Sequence, residues 1–164
     1  MMSKILSVWI VLGSLLLFAP VFADDDVKDI VDIAVASENL STLVTAVKAA
    51  DYVTSLKNPG PVTLFAPTNE AFDKLPKGTV EGLLKPENKE DLQKLLQYHV
   101  APSVYQVKDL KDGMSLGEIN GAKVSIAVKD GKTTVNGANI LSSTRASNGI
   151  VHVIDEVLLP PQKK

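Results

Sequence analysis

The sequence predicts an α+β fold in which several short helices pack around a mostly antiparallel sheet. Two patterns carry that prediction. Apolar residues recur at helical spacing through the first half of the chain. Through the second half they alternate with polar ones between turn dipeptides. Composition adds that one domain is enough. The chain has 164 residues, 45% hydrophobic and 22% charged, with a formal net charge of −2. Those values are ordinary for a globular protein and exclude a collagen-like or disordered chain.

The helices follow in order. Asp26 is placed to cap a first short helix, with Asp29 three residues on and Ile30, Ile33 and Ala34 along one face. Leu40, Leu43, Val44 and Val47 make a second stripe, for which Asn39 or Ser41 supplies a cap. Asp51 is expected to cap a further turn reaching Leu56. Asn58-Pro59-Gly60-Pro61 then breaks the chain. After a strand at Val62-Thr63-Leu64-Phe65, closed by Ala66-Pro67, Thr68 stands where a helix cap belongs, with Glu70 near the positive end of the dipole and Phe72 and Leu75 facing inward. Thr79 opens another short helix. Beyond Pro86, Asn88 caps a stronger one, with Leu92, Leu95 and Leu96 as its buried stripe.

The strands follow Pro102. Asn120-Gly121, Asp130-Gly131, Asn136-Gly137 and Asn148-Gly149 read as turn dipeptides. Val124, Ile126 and Val128 alternate with Ser125, Ala127 and Lys129 on one side of Asp130-Gly131, and Val135 lies on the other, which predicts a hairpin. A last strand runs Ile150-Val151-His152-Val153-Ile154 and is expected to continue to Val157-Leu158-Leu159 before two prolines. No linker or repeat interrupts the pattern, so one domain is expected over residues 25–161, followed by a polar tail at 162–164.

Residues 1–23 have a different character. Lys4 is their only charge, an apolar run covers 5–18, Pro20 stops it, and Ala23 precedes Asp24-Asp25-Asp26. This is the layout of a secretory signal cleaved after Ala23. The run is shorter than the roughly 20 apolar residues of a spanning helix, so no stable membrane insertion is expected after cleavage. The expected location is secreted or periplasmic. Cysteine is absent, which excludes disulfides, thiolate zinc sites, thiol nucleophiles and cysteine-linked lipid. The charge balance gives no basic stripe for nucleic acid.

Three segments resemble one family. Thr63-Leu64-Phe65-Ala66-Pro67-Thr68-Asn69-Glu70-Ala71-Phe72 is similar to the first signature of the fasciclin, or FAS1, domain. Asn148-Gly149-Ile150-Val151-His152-Val153-Ile154-Asp155-Glu156-Val157-Leu158-Leu159-Pro160 is similar to the second, and Tyr98-His99 matches the pair between them. The resemblance covers nearly the whole chain after residue 23. It implies a wedge of strands with helices packed around it. It also implies an exported, non-enzymatic binding module that mediates adhesion to a cell-surface, matrix-protein or polysaccharide partner. A single domain without cysteine looks like the bacterial or archaeal branch. The segment Leu141-Ser142-Ser143-Thr144-Arg145 lacks the Asp-Ile pair of some animal members, so integrin binding by that route is not implied.

The resemblance marks Phe65, Pro67, Thr68, Asn69, Phe72, Asn148, Gly149, His152 and Asp155 as framework residues. Tyr98 and His99 are the candidates for partner binding, set against a bracing role at the helix-to-strand junction. An exported hydrolase and a purely structural envelope component are the rival functions. For a hydrolase, no Gly-x-Ser-x-Gly elbow is present, and His152 and Asp155 are spaced to point to opposite faces. His99 and His152 are the only histidines and no ligand spacing is found, so neither metal nor cofactor is expected. Asp24-Asp25-Asp26 reads as a solvated terminus, and Asn39-Leu40-Ser41 is a glycosylation sequon that matters only in a eukaryotic secretory route.

Overall fold

A computed structural model describes residues 28–58 and 60–160. The signal-like segment, Asp24-Asp25-Asp26 and the 162–164 tail lie outside the described residues. Helix α1 (Ile30–Ala36) begins one turn later than the sequence suggested. Its cap is Asp29, whose Oδ1 accepts the N–H groups of Val31 and Asp32, each at 2.8 Å. Asp32 returns the bond to the Asp29 N–H at 3.3 Å, completing a capping box. Asp26 to Asp29 and Asp29 to Asp32 have the same spacing, so periodicity could not choose between the two. The tertiary bond from the Ile30 N–H to Asn148 Oδ1, 3.0 Å, fixes the start.

At three other helices the expected side-chain cap bond is not made, although Asn88 does occupy the cap position of its helix. Helices α2 (Ser41–Ala49) and α6 (Lys89–Gln97) are both entered from a 3-10 turn, at Glu38–Leu40 and Pro86–Asn88. Their cap residues Leu40 and Asn88 therefore sit near φ −112°, ψ 12° and φ −104°, ψ 14°, not in the extended backbone that aims a side chain at the first turn. Neither Asn39 nor Ser41 caps α2, and the Asn88 amide turns away to donate to Gly82 O at 2.8 Å. Helix α3 (Val53–Lys57) starts at Tyr52, not Asp51. Asp51 takes a left-handed φ of 53° and pairs with Lys89. Helix α4 (Asn69–Asp73) is capped by Thr68 as expected, and α5 (Thr79–Leu83) begins after left-handed Gly78.

The strands are β1 (Val62–Pro67), β2 (Val100–Ala101), β3 (Ser115–Gly117), β4 (Lys123–Lys129), β5 (Lys132–Val135), β6 (Ala138–Ala146) and β7 (Gly149–Ile154). They form one mixed sheet in the order β2-β1-β7-β6-β5-β4-β3. Every neighbouring pair is antiparallel except β1 with β7, so the mostly antiparallel expectation holds with one parallel exception. That exception places the two signature strands side by side, Phe65 opposite His152. The Asp130-Gly131 and Asn136-Gly137 turns have positive φ at both residues, the geometry that suits the strand twist.

Asn148-Gly149 differs from the turn dipeptide the sequence suggested. The β6–β7 turn is Ser147-Asn148, and Gly149 already pairs with Val62. Glycine is required there by proximity: a Cβ would stand 2.0 Å from Val62 O.

Alternation along β1 separates two cores. Leu64 and Ala66 face the helices, where Leu43, Val47, Phe72, Leu92 and Leu96 are buried. Phe65 faces a second core with Tyr98, Leu116, Val124, Ile126, Val135, Ile154 and Leu158. No single described helix is long and apolar enough to cross a membrane.

Candidate functional site

The residues singled out by sequence converge on the β1–β7 seam and on the junctions around it. Asn69 is the first example. It leaves α4 and caps α2 across the structure, accepting the Thr42 N–H at 2.9 Å while its amide donates to Glu38 O at 3.1 Å. This is the side-chain cap that α2 lacks locally. Thr68 Oγ1 accepts the Ala71 N–H at 3.2 Å, and the Thr68 N–H donates to Ile154 O at 3.1 Å, tying α4 to the end of β7. Asn148 links α1 to α3, accepting from Ile30 and donating to Leu56 O at 2.8 Å.

His99 lies wholly inside the protein. Leu95 O can only accept, so the proton of His99 sits on Nδ1, 2.8 Å away. Nε2 is then free to accept the Leu158 N–H at 3.0 Å. Burial pulls the imidazole pKa down to about 4, against the smaller opposing effect of the Leu95 bond, so the ring is neutral at pH 7. Tyr98 is buried beside it. Its hydroxyl donates to Lys123 O at 3.2 Å and accepts from the Asn136 amide at 2.8 Å, joining α6 to β4 and to the β5–β6 turn. Burial raises the phenol pKa, opposed by Asn136 and reinforced by Glu118.

Phe65 connects the two histidines. Its N–H donates to His99 O at 2.8 Å, and its ring stacks on His152 with centroids 5.6 Å apart. His152 Nε2 donates to Tyr105 O at 2.7 Å, which leaves Nδ1 to accept the Ser143 hydroxyl at 2.6 Å. Burial also lowers the His152 pKa, more than the Tyr105 bond raises it. Asp155 follows the end of β7 and takes both the N–H and the amide of Asn139, each at 2.8 Å. Burial pushes its pKa up, but the Asn139 bonds and the nearby Lys74 outweigh it and the net shift is downward. His152 and Asp155 are not brought together.

Among the described residues, no group of His, Cys, Asp or Glu side chains is placed to hold a metal ion. Two features had no visible signal in the sequence. Ser143 is an exposed serine on the buried base His152. Glu118 is a buried glutamate whose carboxyl oxygens have no hydrogen-bond partner among the described residues, and burial drives its pKa up to about 8.

The fasciclin domain profile matches residues 38–160. The chain belongs to the fasciclin family. Protein sll1483 of Synechocystis sp. is 50% identical to it over 140 residues, 85% of this chain and 77% of that protein. Periostin of Homo sapiens is 32% identical over 135 residues, covering 81% of this chain but 16% of its own length. The structure of a FAS1 domain pair from the insect cell adhesion molecule fasciclin I superposes with a TM-score of 0.70 at 19% identity, covering 80% of this chain and 51% of that chain. It shows the shared fold. In this fasciclin domain, the Tyr-His pair and the inward-facing residues of both signatures use their polar atoms on the protein itself.

Proposed function

We propose that this fasciclin domain is an exported, non-enzymatic adhesion module that binds a cell-surface, matrix-protein or polysaccharide partner. Family membership supports the adhesion class. The observation that carries the reading further is the saturation of the candidate interior: Tyr98, His99, His152 and Asp155 spend their polar atoms on Lys123, Asn136, Leu95, Leu158, Ser143, Tyr105 and Asn139. Groups held in that way brace a scaffold, and recognition falls to the surface it presents. Tyr98 and His99 thus belong to the brace.

Residues 1–23 act as the cleaved export signal in this reading, and the domain occupies 25–161. Two measurements test it. Mass spectrometry of protein recovered outside the cytoplasm should give an N-terminus at Asp24, and a product retaining Met1 or Met2 refutes cleavage. Purified protein should be retained on native envelope or matrix preparations above a control of equal size and charge, and equal retention refutes the adhesion reading.

One observation favours the hydrolase alternative, the short Ser143–His152 bond. The base is enclosed, its charged form is disfavoured, and Nε2 is held by the Tyr105 carbonyl where a triad has a carboxylate. The pair reads better as a brace.

A further inference from the structure

Strand β6 is long, and most of it has a partner on one side only. Ala138 and Asn139 pair with β5, whereas Ile140 and residues 142–146 pair with β7 alone, with a register shift at Leu141. No backbone group of residues 140–146 makes a further hydrogen bond to a loop or side chain among the described residues. The stretch Leu141-Ser142-Ser143-Thr144-Arg145 is exposed throughout. An open strand edge of this kind is a template for another strand.

Two clefts lie near this edge. One, of about 330 Å³, lies over the β6–β7 face beside residues 104–108, is floored by Ile150 of β7, and carries Lys108 and Arg145. The other, of about 270 Å³, lies where β5 splays away and carries Lys132. No carboxylate lines either cleft. Among the described residues none of the three cations joins an ion pair, in contrast to Lys57, Lys89 and Lys94. In a chain of net charge −2, a strand edge flanked by three unpaired cations is a local reversal of sign.

We propose that the open edge of β6, residues 141–145, receives an extended acidic peptide segment of a partner protein as an added strand, with Lys108 and Arg145 at one end and Lys132 at the other taking its carboxylates. Backbone pairing would supply the adhesion and the cations the choice of partner. At about 3.3 Å per residue the edge accommodates a segment of about five residues. A second copy of the chain fits less well, since each copy brings the same three cations and no lining carboxylate to the shared seam. A polysaccharide would find no aromatic platform in either cleft. The proposal rests on the adhesion reading and names the partner chemistry for it.

The test uses the purified protein and a synthetic eight-residue peptide alternating valine with glutamate, capped at both ends. Titration should show saturable binding, with amide shifts confined to 141–145 and the two clefts. Replacing glutamate by glutamine in the peptide, or Arg145→Gln together with Lys108→Gln in the protein, should weaken it tenfold or more. N-methylation of every peptide nitrogen should abolish it, because neither edge of the peptide can then donate to the ladder. Equal binding of the N-methylated peptide, or no binding of the parent, overturns the proposal. Self-association through 141–145 in sedimentation, or a sulfated oligosaccharide shifting the same amides where the peptide does not, overturns the choice of occupant. Retention on native envelopes is measured in parallel. Retention without peptide binding rejects only the strand-addition proposal, and loss of retention rejects the adhesion reading beneath it.

Discussion

His99 Nε2 accepts the backbone N–H of Leu158 at 3.0 Å, 59 residues away along the chain. That bond holds the C-terminal segment against the end of α6, and the Leu95 carbonyl fixes the tautomer that makes it possible. His99→Ala leaves the Leu158 N–H without its acceptor in a buried place, which costs about 1–3 kcal/mol. The expected result is a lowered melting midpoint, with binding to envelope material falling only in step with the folded fraction. Unchanged melting with a tenfold loss of binding, about 1.4 kcal/mol, would make Tyr98 and His99 contact residues and reverse their assignment to the brace.

Glu118 and the histidines should give the protein a characteristic pH profile. Glu118 titrates near 4.5 when exposed and about 8 in the fold. Between those values the folded state keeps a proton that the unfolded chain has lost, so stability falls as pH rises. His99 is displaced the other way, from 6.5 to about 4, so across that window stability rises with pH. His152 shifts in the same direction as His99. The opposing slopes offset one another below pH 6.5, and from 6.5 to 8 the Glu118 slope stands alone among these three groups. Thermal midpoints should therefore fall from pH 6.5 to 8 in the wild type and stay level in Glu118→Gln. At pH 8 the variant should be the more stable, because its amide keeps the polar shape of the side chain but has no charge to bury. A wild-type profile that is flat over that interval contradicts the assignment.

The sequence revealed local structure well and tertiary substitution poorly. Stripes such as Leu92, Leu95 and Leu96, and the alternation of Val124 with Ile126, carry their own period, so both the elements and their buried faces could be read directly. Caps were misplaced where a distant residue supplied the bond. Asn69 serves α2 and Asn148 serves α1, and no local window contains both ends of such a contact. The same limit hid Ser143 from His152, and Asn136 from Tyr98. Glu118 was invisible for a different reason: a lone glutamate in a polar stretch has no pattern that distinguishes an enclosed carboxyl from a solvated one.

Asn69→Ala tests the cross-structure cap. It removes the acceptor of the Thr42 N–H and the donor to Glu38 O while leaving the Thr68 cap of α4 in place. The loss should be about 0.5–2 kcal/mol, as for other helix caps. Amide exchange should accelerate first at the start of α2, and protection unchanged there would show that the bond carries no weight.

Gly149→Ala probes the parallel seam. The added methyl would meet Val62 O at 2.0 Å and Val62 C at 2.9 Å, both backbone atoms that no rotamer change can move aside. The two signature strands must separate at their first pair, next to the Asn148 bonds that hold α1 and α3. The cost should reach or exceed the roughly 1–3 kcal/mol of ordinary overpacking. A denaturation midpoint equal to wild type would mean that the strands do not approach so closely. Gly117→Ala is the control, since its Cβ meets nothing within 4 Å and its backbone is not left-handed.

Ser143 and His152 permit a direct test between brace and nucleophile. The hydroxyl donates to Nδ1 at 2.6 Å, and the opposite nitrogen donates to Tyr105 O at 2.7 Å. A nucleophilic serine needs a base that can hold its proton through the transition state, and a triad supplies a carboxylate to stabilise the resulting imidazolium. Here burial disfavours that imidazolium, and the Phe65 ring stacked on it offers no anionic charge. Incubation with a fluorophosphonate at pH 8, followed by peptide mapping, should therefore label Ser143 no faster than its exposed neighbours Ser142 and Thr144. Ser143→Ala should lower stability by about 1 kcal/mol through the unpaired Nδ1 and leave retention on envelopes intact. Stoichiometric labelling of Ser143 that disappears in His152→Gln would establish an activated serine and restore the hydrolase reading. Equal, slow labelling of all three residues leaves His152 as the pin that holds β6, β7 and the 103–105 loop together beneath the open strand edge.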